Sequence, residues 1–254
     1  MKKWSGLILL LLLLSTKFIS AQTKTNVADT IVNAKLLHFT YGYALPFGDL
    51  ADRFGSNHLM GASLFFKMKD NYLLGFEGNL IFGGNIKEDT IIDGLLTSQG
   101  FLIGVNGLAE SAYLYERGYT LFVKFGKLIP AFGSNPNSGI NFNVGAGFMQ
   151  HKIKIQDPDK VLPYVTGEYA KGYDRLTNGF ALTQYIGYQN LDKRKRINFN
   201  AGIEFNEAFT QNRRDWNTDQ MKKDDAKRFD MLIGLKFSWI LPFYGKGESR
   251  IYTH

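Results

Sequence analysis

Apolar and polar positions alternate along most of this chain. From about residue 35 onward they exchange every second residue, over segments of roughly ten residues. That period belongs to a β-strand, whose successive side chains point to opposite faces. Residues 197–209 show it most clearly. Ile197, Phe199, Ala201, Ile203, Phe205 and Phe209 fall on one face, with Asn198, Asn200, Gly202, Glu204 and Asn206 on the other. Residues 229–241 repeat the pattern: Phe229, Met231, Ile233, Leu235, Phe237, Trp239 and Leu241 stand against Asp230, Gly234, Lys236 and Ser238. Residues 37–44, 72–82 and 140–148 alternate in the same way. Weaker strands are predicted near 58–68, 100–115, 119–129 and 180–188. No long amphipathic helix is evident.

A soluble sandwich would also alternate. Here the apolar face carries large residues, many of them Phe, over several consecutive positions. The other face is Asn, Gly, Ser and Thr with occasional charges. This polarity suits a lipid-facing exterior around a polar interior. The expected fold is therefore all-β, a transmembrane antiparallel up-and-down barrel of about ten strands, with eight as the rival count. The higher count needs an extra strand within 162–170. Lys69-Asp70-Asn71 and Glu116-Arg117-Gly118 read as tight periplasmic turns, joined on that side by 191–195. The links 45–57, 85–98, 131–138 and 210–228 are expected outside. Tyr41, Tyr43, Tyr72, Tyr119, Tyr188, Trp239 and Phe243 lie towards strand ends, where aromatic girdles sit.

The N-terminus follows a different rule. Met1-Lys2-Lys3, the apolar run Leu7–Leu14 and Ile19-Ser20-Ala21 before Gln22 read as a secretory signal peptide. Lys17 interrupts the run, and a spanning helix needs about 20 apolar residues. The expected organisation is a leader over 1–21, a periplasmic lead over 22–34, a barrel over 35–244 and a polar tail over 245–254. The formal charge of +7 on 254 residues invites a nucleic-acid reading. Removing the leader takes away Lys2, Lys3 and Lys17 and no acid. That leaves 27 basic against 23 acidic residues, or +4, so no nucleic-acid partner is expected. Zero Cys excludes a disulfide framework, a Cys-ligated metal and a lipid-carrying Cys.

The segment Tyr43-Ala44-Leu45-Pro46-Phe47-Gly48-Asp49-Leu50-Ala51-Asp52-Arg53-Phe54-Gly55 resembles the first strand and loop of small outer-membrane β-barrels of Bacteroidota, the broad group that includes PorT-like proteins. Pro136-Asn137-Ser138-Gly139, Gln150-His151-Lys152-Ile153, Lys171–Gly179, Arg196-Ile197-Asn198-Phe199 and Trp239–Tyr244 are similar to motifs of one uncharacterised subfamily. PorT-like proteins are linked to type IX secretion. The resemblance thus implies outer-membrane localisation and an accessory role in secretion or assembly. Many barrels end at a C-terminal aromatic residue, and here a polar tail follows Pro242-Phe243-Tyr244 instead.

The candidate chemistry is sparse. His38 and His151 fall on or near inward faces. A pair formed with Glu77 or Glu204 is conceivable as a metal or catalytic group. A hydrogen-bonded polar interior is the simpler reading, because no His-Glu-x-x-His run exists and no His has a Ser two residues away on the same strand face. The expected interior network is His38, Glu77, Asn79, Lys124, Asn141, His151, Asn198, Glu204 and Lys236. Its charges form either a salt-bridged plug or a wet path, and a narrow barrel favours the plug. Arg213, Arg214 and Trp216, in the loop 210–228, are the candidate contact for lipopolysaccharide phosphates or another envelope protein. The basic run Lys193-Arg194-Lys195-Arg196 could touch anionic headgroups. No cofactor and no enzymatic activity are expected. The alternatives are a narrow passive pore and a lipid- or peptide-modifying barrel enzyme.

Overall fold

The computed structural model describes residues 30–133, 135–192 and 197–244. The leader, the run Lys193–Arg196 and the C-terminal tail lie outside the described residues. The chain runs through β1 (Ala34–Gly48), one helical turn α1 (Leu50–Arg53), β2 (Asn57–Lys67), β3 (Tyr72–Gly83), the short β4 (Leu102–Ile103) and β5 (Ala109–Glu110), then β6 (Tyr113–Ile129), β7 (Gly139–Gln156), β8 (Thr177–Asn190), β9 (Phe199–Asn212) and β10 (Lys227–Tyr244). Among the described residues, eight of these strands close an antiparallel ring in the order β1-β10-β9-β8-β7-β6-β3-β2. Phe39 of β1 stands opposite Ala62 of β2 on one side and Trp239 of β10 on the other, so no long edge is left open. β4 and β5 pair only with each other, inside one long connection.

The strand count is eight rather than ten, for two physical reasons. Glu116-Arg117-Gly118 is not a turn but the upper part of β6, paired with residues 151–153 of β7. Gly118 is demanded by close approach: a Cβ there would lie 2.3 Å from the Gln150 carbonyl oxygen and 3.0 Å from His151 Cα. Residues 162–170 do not alternate, and they fold as 3-10 turns at Pro163–Val165 and Tyr169–Gly172. The two differences cancel in direction, so later strands run as expected. The link 131–138 falls between them and moves to the short-turn end.

At that end lie the connections 68–71, 130–138 and 191–198, together with both ends of the barrel sheet. The connections 49–56, 84–112, 157–176 and 213–226 lie at the other end.

The alternation sorts the side chains as the sequence suggests. Outside stand Phe76, Leu80, Leu121, Phe180, Phe209 and Leu235, the last 67% exposed. Their aromatic members pair across strands: Phe39 with Trp239 at 5.9 Å, Tyr72 with Phe125 at 5.8 Å, and Phe199 with Phe237 at 6.2 Å. Such ladders stabilise adjacent strands. The girdle residues Tyr41, Tyr43, Tyr72, Trp239 and Phe243 are all exposed. Inside, three layers fill the barrel. An apolar layer at the long-loop end joins Leu50, Phe54, Ile91, Ile92, Leu162 and Val165 to barrel residues such as Phe122 and Leu232. A polar layer lies below it. A second apolar layer of Ala34, Leu36, Phe65, Leu73, Leu191 and Ile240 closes the short-turn end.

Candidate functional site

The middle of the lumen holds four charges from four strands. Lys124 of β6 donates to Glu77 of β3 at 2.8 Å and to Glu204 of β9 at 2.5 Å. Lys236 of β10 donates to the same two carboxylate oxygens at 2.6 and 2.7 Å. Each ammonium therefore sits between two carboxylates, and each carboxylate between two ammoniums. The quartet is neutral, and its four side chains are buried. Asn79 donates to Glu77 at 2.9 Å, and Asn206 to the other oxygen of Glu204 at 3.4 Å. Buried charge persists only when paired and hydrogen-bonded in this way.

The other predicted interior residues take separate places. Asn141 donates to Gln189 at 3.1 Å and accepts from Asn143 at 3.2 Å. Asn198 is in the short-turn connection, where its side-chain oxygen accepts from the Asp192 amide at 2.9 Å. His38 is the exception: it is buried, packs at 5.2 Å on Phe65 of the short-turn layer, and lies close enough to the quartet to feel the charges of Lys236, Glu77 and Lys124. His151 lies towards the long-loop end, with Nε2 2.9 Å from Asp230. The structure thus does not bring His38 and His151 together. Among the described residues, no group of three His, Asp or Glu side chains is arranged to hold a metal ion.

Asp230 organises a second polar cluster. The same Asp230 oxygen accepts from Thr210 at 2.5 Å, and its other oxygen accepts from Arg53 at 3.4 Å. Arg53 enters the mouth from α1, places its guanidinium 5.6 Å over the Phe54 ring and donates to Thr177 at 3.1 Å. The first long-side connection is thereby anchored inside the barrel. Sequence reasoning put Asp230 on the polar face of its strand but had no means of placing Arg53, which belongs to no alternating segment.

A third polar cluster closes the opposite end. Asn137 accepts from Lys67 at 2.8 Å and from the Val32 amide at 3.0 Å, and donates to the Thr30 carbonyl at 2.8 Å. The chain before β1 is thereby strapped across the short-turn mouth. Ser138 accepts from the Leu191 amide at 2.9 Å, and Asn71 donates to the Pro136 carbonyl at 3.0 Å. The segments singled out by resemblance sit largely at these closures: Asn137-Ser138 below, His151 and Asp174-Arg175 above.

The loop arginines are engaged with their own chain. Arg214 grips Asp174 with two bonds of 2.7 and 2.5 Å, and this pairing raises its pKa. Arg213 donates to Asn178 at 2.7 Å, while Trp216 is exposed beside them. Arg175 holds Asp219 bidentately at 2.8 and 2.6 Å and Glu88 at 2.9 Å. Burial alone would lower its pKa, but bonds to Asp219 and Glu88 overcome that and raise it. Asp224 pairs with Arg228. Burial works against its charge, but Arg228 outweighs that and holds it below the usual carboxylate range. Three long-side connections are thus locked to one another. Arg214 is a locking group in this arrangement, and its guanidinium does not face solvent free for docking.

No family model matches the chain, and no curated protein matches it in sequence. Comparison with solved structures finds similarity to Ail, the attachment invasion locus protein of Yersinia pestis, in complex with the heparin analogue sucrose octasulfate. The identity is 9%, the TM-score 0.43, and the match covers 83% of this chain and 99% of that one. Neisserial surface protein A is similar at 11% identity and TM-score 0.37, over 81% of this chain and 96% of that one. The outer membrane protein OprG from Pseudomonas aeruginosa is similar at 9% identity and TM-score 0.37, over 86% of this chain and all of that one.

Proposed function

We propose that this chain is an integral outer-membrane β-barrel protein of the PorT-like, Bacteroidota type, exported by a cleaved leader over residues 1–21. It acts without catalysis, as a structural or accessory component that binds other envelope proteins in a secretion or assembly complex. The inverted polarity supports membrane insertion. On β10 the outward run from Met231 to Leu241 is apolar at every position, with Phe229 and Phe243 beyond its two ends. Ten residues at about 3.3 Å each, tilted by about 40°, span about 25 Å, the height of a barrel's apolar band.

The observation that carries the accessory role is the filled lumen. Among the described residues, two apolar layers and a neutral charge quartet between them fill the lumen with side chains, which supports a function carried by the exterior and the loops. Affinity purification from native outer membrane in mild detergent, followed by identification of co-purifying proteins, tests this. A stable envelope complex is expected. Reproducible single-channel conductance from the purified barrel in planar bilayers would point to a pore instead.

A further inference from the structure

The outside of the barrel carries a cationic patch at the long-loop rim of β6 and β7. Going up these strands from the apolar belt, the outward pairs are Leu121 opposite Phe148, Tyr119 opposite Gln150, Arg117 opposite Lys152, and Tyr115 opposite Lys154. Three cations thus occupy neighbouring positions, two steps above the last apolar pair. Arg117 and Lys152 are direct cross-strand partners on one face, and like charges so placed destabilise a sheet. Among the described residues, neither Arg117 nor Lys154 lies within ion-pair distance of a carboxylate. Lys152 reaches Asp174 at 3.5 Å, but that carboxylate is already held by Arg214. Arg117 is fixed at the surface: it donates to the Glu116 carbonyl at 2.7 Å, and its guanidinium lies 5.0 Å over the Tyr115 ring.

Lower on the outer face of β2, β3, β6 and β7 lies a groove of about 480 Å³. Outward Ala62, Gly78 and Ala146 set its floor back between the larger Leu64, Phe76 and Leu121. A charged rim above an apolar groove on the same strands matches one amphipathic molecule.

We propose that Arg117, Lys152 and Lys154 bind the phosphate of a phosphorylated glycolipid, with an acyl chain of that lipid lying in the groove. This rests on the reading of the chain as a membrane barrel. A phosphomonoester carries about −1.5 to −2 charges at neutral pH, which suits three clustered cations. A zwitterionic phospholipid brings its own cation and would compete with them. A free phosphate ion gains nothing from the groove. Tyr115 and Tyr119 flank the cations at the level where aromatic rings meet headgroups.

The test uses the full mature chain, purified in detergent, with radiolabelled diphosphoryl lipid A as probe. The variant R117Q/K152Q/K154Q is expected to bind it roughly a hundredfold more weakly, at about one polybasic contact's worth per charge. The charge-conserving R117K/K152R/K154R variant should retain most binding. Chemically dephosphorylated lipid A should bind the wild type as weakly as diphosphoryl lipid A binds the Gln variant. Ala146→Trp, which fills the groove, should also weaken lipid binding. Equal binding by the wild type and the Gln variant would overturn the proposal. So would displacement of the lipid by an equal concentration of inorganic phosphate. Heat-modifiable gel mobility of every variant, measured in parallel, reports the barrel separately, so a failure of the membrane reading is distinguishable from a failure of this site.

Discussion

Replacing Lys124 with Met is the sharpest test of the central quartet. The ammonium makes two contacts, at 2.8 and 2.5 Å. At an effective dielectric constant of about 20, each is a gross attraction of about 6 kcal/mol. The substitution also relieves the repulsion from Lys236 and the burial cost of one ammonium. What remains is two carboxylates sharing one lysine, a net buried charge. Breaking a buried pair in this way costs about 3–5 kcal/mol. Glu204→Gln alone leaves the opposite excess and should cost a similar amount. The double variant restores neutrality through the surviving Glu77–Lys236 pair at 2.6 Å. It should therefore be less damaged than the sum of the singles, by about 2–3 kcal/mol. The assay is reversible urea unfolding of the barrel in a fixed detergent or lipid. Tryptophan fluorescence from Trp216 and Trp239 reports the transition, with heat-modifiable mobility as a second probe. Additive losses, or a Lys124→Met cost below about 1 kcal/mol, would show that the four charges do not act as one unit.

Three further outcomes follow from other parts of the molecule. Asn137→Ala removes the bonds to Lys67, Val32 and Thr30 and should cost about 2–4 kcal/mol at roughly 1 kcal/mol each. Limited proteolysis should then reach the chain before β1 faster, and unchanged cleavage would count against the strap. Glu207 is an outward residue of β9 between Phe205 and Phe209, with no ion pair among the described residues. Glu207→Leu should raise stability in lipid by about 1–2 kcal/mol, and a loss instead would reveal a partner for that carboxylate. Asp224 has its folded pKa depressed by Arg228. Its contribution is therefore present above the unfolded value of about 3.9 and lost as pH falls through the lower folded value. Hydrogen exchange of residues 213–226 should stay slow well below pH ~5, and loss of protection already at that pH would contradict the pairing.

The barrel was legible because lipid outside and polar groups inside write a period-two signal into every long strand. Alternation also assigned Glu77, Lys124, Glu204 and Lys236 to the inner face, and the structure brings all four into contact. Alternation carries no height along the barrel, so Asn141, His151 and Asn198 looked like members of the same network although they lie at different levels. The strand count failed where two local signals misled. A charged pair followed by Gly imitates a turn, yet Glu116 faces inward to Asn57, Arg117 faces outward, and Gly118 makes room for the β7 backbone. Arg53, Asn137 and Asp174 stand in segments that the resemblance singled out, but their contacts could not be read from the pattern for another reason. Their roles depend on loops meeting across long sequence separations, and periodicity says nothing about such contacts.

The quartet also bears on how the ring finds its register. Its members come from two pairs of neighbouring strands, β3 with β6 and β9 with β10, which face each other across the ring. A slip of one residue in any of these strands turns its charge from lumen to lipid and leaves the other three unbalanced. A slip of two keeps the charge inside but moves it along the barrel, away from its partners. Correct closure is then the one alignment in which all four charges meet, so the same contacts that fill the finished lumen act as an error check while the sheet is being assembled.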